Sequence, residues 1–267
     1  MLSEFSYGYA LTEELVRGVT ATLAAAPVFP SLYAEGQTGG GWDVMIPYPV
    51  TPLFLQFKLS HYMVRRTAKE RKLLRSRYYR MHLRPSRYSD QHDLLLAWEA
   101  AGNATYYAAP CFHTTDALNR AYLSRNVMAE SAFFPPSVIG PLPDHYDHYL
   151  AFNATAVYVC SEPRKLDYDF SGATHIRKFT DLAQHAESKA DKRLFLDLLD
   201  QMAEVISDDR GFPEHLVRLH DPAFRERLTI ADAAGLAAYT ARAYFDAELV
   251  LLSRKPPNDK KTTERAS

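Results

Sequence analysis

Pro52-Leu53-Phe54-Leu55-Gln56-Phe57-Lys58-Leu59 is the stretch on which the fold of this chain turns. It is apolar except at Gln56 and Lys58. Residues i and i+2 of a strand project from one face, so these two polar side chains point together while Phe57 enters the opposite layer. Upstream, Gly39-Gly40-Gly41-Trp42-Asp43-Val44-Met45-Ile46-Pro47 sets a carboxylate on a second apolar segment, across a short proline-rich turn. Two strands, at about 42–48 and 52–59, bring the Asp43 carboxylate, the Gln56 amide oxygen and the Lys58 ammonium around one point. Oxygen ligands of this kind hold Mg²⁺, and a neighbouring ammonium polarises water against a phosphodiester.

Outward from that core, Thr12-Glu13-Glu14 reads as a capped helix start, with Leu15, Val19 and Leu23 on one face and Pro27 as its stop. Residues 31–41 hold Glu35 and a glycine cluster, which reads as a turn and lacks the spacing of a phosphate-binding loop. Ser89-Asp90-Gln91 starts a helix in which Gln91, Leu94, Leu95 and Trp98 share a face, and Gly102 closes it. Ala104 to Phe112 reads as a buried strand, 115–128 as a helix, and 148–161 as strand-like runs. Helices follow at roughly 181–207, 213–227 and 230–252, then a polar tail with Pro256-Pro257. The order helix, strand, strand, helix, strand predicts a layered α/β core. The expected division is an α/β domain over 1–178, a C-terminal helical region over 179–253 and a disordered tail over 254–267.

Net charge is −1, yet its distribution is uneven. From Arg65 to Arg87 there are ten Lys or Arg against the single acid Glu70, so +9 in 23 residues leaves −10 for the rest. Such a run on an acidic body suits a polyanion held at one place. The stretch is expected to form one irregular helix broken by Pro85. Arg65, Arg66, Lys69, Arg71, Lys72, Arg75, Arg77 and Arg80 are its nucleic-acid candidates, with Tyr79 placed to stack on a base. Leu73, Leu74, Tyr78 and Met81 are assigned to the buried side.

The other signals are weaker. Cys111 and Cys160 read as buried free thiols of a reducing compartment, and Cys111 with His113 lacks the third group a thiol nucleophile needs. Asp144-His145-Tyr146-Asp147-His148 is a rival metal cluster, but its spacing matches no zinc motif and its prolines mark a surface loop. The first residues lack a signal-peptide pattern and no apolar run is long enough to span a membrane, so a cytoplasmic protein is expected.

Gly36-Gln37-Thr38-Gly39-Gly40-Gly41-Trp42-Asp43-Val44 and Leu55-Gln56-Phe57-Lys58 together resemble the PD-(D/E)XK nuclease superfamily, and its Mrr-like, restriction-endonuclease-like branch in particular. The resemblance covers roughly residues 10–112 and implies an α-β-β-(β)-α-β core. It makes Asp43 the central metal ligand and puts Gln56 where relatives carry Asp or Glu. It gives the Phe57 carbonyl to the metal and Lys58 to the attacking water. Glu35 would restore the charge that Gln56 lacks, and Gln91 would lie near the site. The implied cofactor is Mg²⁺ (or Mn²⁺). The implied activity is phosphodiester hydrolysis of DNA, with RNA left open as a substrate, within a prokaryotic defence or restriction system, with a homodimer or larger effector complex as the compatible assemblies. A neutral Gln56 weakens hold on a hard cation. The alternative is therefore a nucleic-acid-binding or effector-docking protein on a silenced nuclease fold.

Overall fold

The computed structural model describes residues 2–18, 21–23, 49–143, 146–161, 163–206 and 214–253. Glu35, Asp43, the glycines 39–41, the expected strand at 42–48 and the expected tail lie outside the described residues. In chain order the elements are α1 (Glu4–Gly18), β1 (Ala21–Leu23), β2 (Pro49–Phe57), β3 (Ser60–Met63), α2 (Arg71–Leu74), β4 (Tyr78–Leu83), α3 (Gln91–Ala100) and β5 (Ala104–Pro110). Then come α4 (Thr115–Leu123), β6 (Ser131–Phe134), α5 (Pro136–Ile139), β7 (His148–Asn153), β8 (Ala156–Val159), β9 (Arg164–Leu166) and α6 (Gly172–Gln184). The last are β10 (Ser188–Lys189), α7 (Lys192–Val205), α8 (Glu214–Arg218), α9 (Pro222–Arg227), α10 (Ile230–Phe245) and β11 (Glu248–Ser253).

The strands form two sheets. The first runs β1-β11-β2-β5-β6, with β10 beside the start of β2; the second runs β3-β4-β7-β8-β9. Among the described strands only β2 and β5 pair in parallel, and α3 lies in the crossover between them. The protein is therefore α/β with a mixed sheet and an antiparallel one.

Period-two burial decides the layers. Leu53, Leu55 and Phe57 enter a core with Tyr7, Leu11 and Leu15 of α1 and Phe179 of α6. Phe54 enters a second core with Trp98 of α3, Leu198 of α7, Phe245 of α10, and Met81, Leu150 and Phe152 of the second sheet. This second core joins the inner faces of both sheets. It also holds residues from either side of position 178.

Three sequence expectations change here, while the hairpin strand expected at 42–48 lies outside the described residues. Among the described strands, β11 lies beside β2 along Val50–Leu55 and β5 along the other edge from Leu53 to Phe57. The helix expected at 230–252 ends at Phe245, and Leu249-Val250-Leu251-Leu252 belongs to β11 instead. Four apolar residues flanked by Glu248 and Ser253 bury as well in a strand as in a helix, and the open edge of β2 selects the strand. The basic stretch is not one helix but β3, the short α2 and β4. Tyr79, Met81 and Leu83 face the shared core while Tyr78, Arg80 and His82 face outward, an alternation that a helix cannot satisfy. Finally, α1 starts at Glu4 rather than Thr12, capped by the Ser3 hydroxyl accepting from the Ser6 N–H at 3.0 Å.

Candidate active site

The C-terminal end of β2 places Gln56 and Lys58 on the side of α3 and α10, as alternation requires. Phe57 points the other way, edge-on to Tyr7 of α1 with ring centroids 6.0 Å apart. A Cβ on Gly8 would stand 2.7 Å from the Phe57 ring, so glycine is what lets α1 lie this close. That approach brings Glu4 into the electrostatic reach of Lys58.

Gln56 is fully buried. Its Nε2 donates to Asp246 Oδ2 at 3.3 Å, and its Oε1 has no hydrogen-bond partner among the described residues. Lys58 Nζ donates to Gln91 Oε1 at 3.1 Å and lies 3.8 Å from Asp246 Oδ2. Gln91 is the first residue of α3. Asp246 caps α10 in the left-handed conformation (φ 50, ψ 35) that Asp tolerates better than most side chains. The last β2–β11 pair is Leu55↔Glu248, so the ladder stops where Asp246 turns over the site. Behind it Arg242 Nη2 donates to Glu248 Oε2 at 2.7 Å, tying helix to strand across the turn.

Burial sets the protonation here. It pushes the Lys58 pKa down, which Asp246 and Glu4 oppose and Arg84 reinforces. Burial likewise pushes the Glu4 carboxyl up, with Lys58 pulling it back and Asp246 adding to the rise. Both groups are drawn toward their neutral forms. A lysine with a depressed pKa can take a proton as well as stabilise charge.

The structure brings Gln56, Lys58 and Gln91 together as expected, and puts Phe57 on the far face. It adds Asp246 and Glu4, which the sequence reasoning missed. Asp246 had a readable signal: a residue tolerant of positive φ between the alanine-rich α10 and an apolar run. Glu4 had none. Of the cations, Arg65, Arg66, Lys69, Lys72, Arg75 and Arg77 are exposed, whereas Arg71 and Arg80 are half-buried. Tyr79 is half-buried in a row running from Phe152 (centroids 5.9 Å) to Tyr62 (5.1 Å), which His113 extends by stacking on Tyr62 at 4.5 Å.

Of the rival Asp144–His148 cluster, Asp144 and His145 lie outside the described residues. His148 is buried with Nε2 against the Pro143 carbonyl, and Asp147 faces His82 at 3.3 Å. Among the described residues no group of three or more His, Cys, Asp or Glu is arranged to hold a metal. Burial pushes the Cys111 thiol up to about 12, which suits an inert thiol. No described helix is long and apolar enough to cross a membrane. Comparison with protein-family models, with curated proteins and with solved structures returned no match.

Proposed function

We propose that the protein is a metal-dependent nuclease of restriction-endonuclease-like fold that hydrolyses phosphodiester bonds, of DNA in preference to RNA. The observation that carries this reading is Lys58 and Gln56 side by side at the C-terminal end of a central strand. They are held there by Gln91 and Asp246, and a dense run of exposed cations begins a few residues on. α1, the strand bearing Gln-x-Lys, α3 and the parallel β5 follow the order that the resemblance implies.

Gln56 Oε1, buried and unpartnered, fits an oxygen ligand to a hard cation, with Asp43, Glu35 and the Phe57 carbonyl as the companions that the resemblance names. When bound, Mg²⁺ or Mn²⁺ supplies Lewis-acid stabilisation of phosphoryl charge. The chain's own part is clearer. Lys58 is fixed at Nζ by Gln91 and Asp246, and its lowered pKa equips it to orient or deprotonate a water molecule. Asp246 holds the Gln56 amide so that Oε1 faces away from it. The exposed cations along 65–77 offer a track for phosphates beyond the site.

The test is incubation of the pure protein with plasmid, linear and single-stranded DNA and RNA, in Mg²⁺, Mn²⁺ or EDTA. Wild type should cleave only with a metal, and Asp43→Ala and Lys58→Ala should each lower the rate by about 10²–10⁴-fold. Both variants should keep a cooperative melt. Cleavage in EDTA, or wild-type rates in both variants, would refute the assignment. Metal-independent binding without cleavage favours the silenced-fold alternative.

A further inference from the structure

The outer face of the second sheet carries a pocket of about 600 Å³, away from Gln56 and Lys58. Its walls include Met63, Arg65, Lys69, Arg80, Tyr149 and Ser161. Arg80 projects from β4 with its guanidinium 4.5 Å from the centre of the Tyr149 ring, which fixes the plane of the group. Its Nη1 reaches Glu70 Oε1 at 3.5 Å, but its Nε is buried with no hydrogen-bond partner among the described residues. Ser161, two residues past β8, has a hydroxyl in the same condition. Buried donors without acceptors cost free energy, so two of them on residues that line one pocket point to a place built for acceptor oxygens.

The charge around them points the same way. Arg65, Lys69 and Arg80 face two acids that are already engaged, Glu70 by the Tyr78 hydroxyl at 2.7 Å and Asp147 by His82 at 3.3 Å. An anion entering here meets cations and unspent donors. The volume suits a small molecule rather than a bare ion, and Met63 and Tyr149 give it an apolar wall for a flat ring.

We propose that this pocket binds a nucleoside phosphate, with Arg80 Nε and Ser161 Oγ donating to the phosphate and Arg65 and Lys69 closing over it from the rim. The ligand is a free nucleotide or one unit of a nucleic-acid strand. The proposal does not depend on cleavage at Lys58.

Isothermal titration of the full chain in EDTA tests it, with inorganic phosphate, AMP and a short oligothymidylate as probes. AMP should saturate one site and bind more tightly than inorganic phosphate. Ser161→Ala should weaken binding about tenfold and Lys69→Ala about threefold, as the loss of hydrogen bonds and charge contacts to an anion predicts. Ser161→Ala removes only an unpartnered hydroxyl, so it should melt at or above the wild-type temperature and stays informative if an Arg80→Gln variant fails to fold. Saturation by AMP identifies a free nucleotide as the ligand. Binding of the oligonucleotide alone, weakened by Ser161→Ala, identifies a strand unit. Absence of binding by AMP and oligonucleotide at millimolar concentration, or unchanged affinity in both the Ser161 and Lys69 variants, would overturn the proposal.

Discussion

The two sheets treat charge in opposite ways. The first is covered on both faces, by α1 and α6 on one side and by α3, α7 and α10 on the other. Ionisable groups in or beside it are governed by burial: Lys58 falls, Glu4 and Glu248 rise, and His175 of α6 drops to about 4. The second sheet shares one inner core, while among the described residues its outer face is closed by a small cluster around Leu74, Tyr78 and Ala151. There pairing prevails. Burial alone would raise Glu70, but the Tyr78 hydroxyl and Arg80 hold it below its ordinary value. Double cover draws Lys58, Glu4, Glu248 and His175 toward their neutral forms, whereas under the thinner cover Glu70 keeps its charge through its partners.

Core truncation should separate the two most strongly. Phe54, fully buried and edge-on to Trp98 at 5.1 Å, anchors the doubly covered side. Phe54→Ala should cost about 4 kcal/mol, and Leu74→Ala under the thin outer cover about 2 kcal/mol, by urea denaturation. Equal losses would mean that the outer cover is as tightly packed as the core.

Acid should find the first sheet's weak point. His175 Nδ1 lies 2.9 Å from the Ser171 carbonyl and Nε2 2.9 Å from the Tyr168 hydroxyl, an arrangement that a neutral ring satisfies by donating at Nδ1 and accepting at Nε2. The unfolded chain takes up this proton near 6.5, the folded chain only near 4. Stability is therefore present above 6.5 and is lost as pH falls from 6.5 toward 4, by about 3 kcal/mol. His175→Gln should flatten that part of the urea-derived profile. A wild-type profile already flat there contradicts the buried neutral histidine.

The smallest effect sharpens the contrast at the site itself. Lys58→Met should stabilise the fold by about 1 kcal/mol at pH 7, because it removes a charge that burial disfavours. The sign follows from linkage. The folded protein gives up the Lys58 proton more readily than the unfolded chain, so wild-type stability rises with pH up to the ordinary 10.5. The variant's advantage should shrink over that range. A destabilised Lys58→Met would mean that the contacts to Gln91 and Asp246 outweigh the cost of burial.

What the sequence disclosed follows from how local each signal is. Gln56 and Lys58 on one face, Phe57 on the other, α3 with its Gly102 stop at φ +95, and the strand after it all depend on neighbours a few residues away. The β4 alternation was equally local, with Tyr79, Met81 and Leu83 on one side, but ten cations in 23 residues drew attention to charge instead. The turn at Asp246 was legible locally, but its place beside Gln56 was not, because nothing in residues 240–250 refers to position 56 and it is the sheet that joins them. Glu4 comes into the site through Gly8, whose meaning lies in the Phe57 ring it admits.

β11 carries a consequence for how the protein is made. The Gln56–Asp246 contact spans 190 residues, and β11 sits between β1 and β2 rather than at an edge. During synthesis β2 therefore emerges with one flank exposed and waits for nearly two hundred further residues, at about 5–20 residues per second. Over those tens of seconds an unfilled apolar strand is a template for neighbouring nascent chains. The same delay means that Lys58 meets its carboxylate only after Asp246 has left the ribosome. A chain released early, without β11, would carry the Gln-x-Lys strand but neither its flank nor its counter-ion. The arrangement acts as a timer: the contacts of Gln56 and Lys58 with Asp246, and the strand that flanks them, are withheld until translation has passed residue 253.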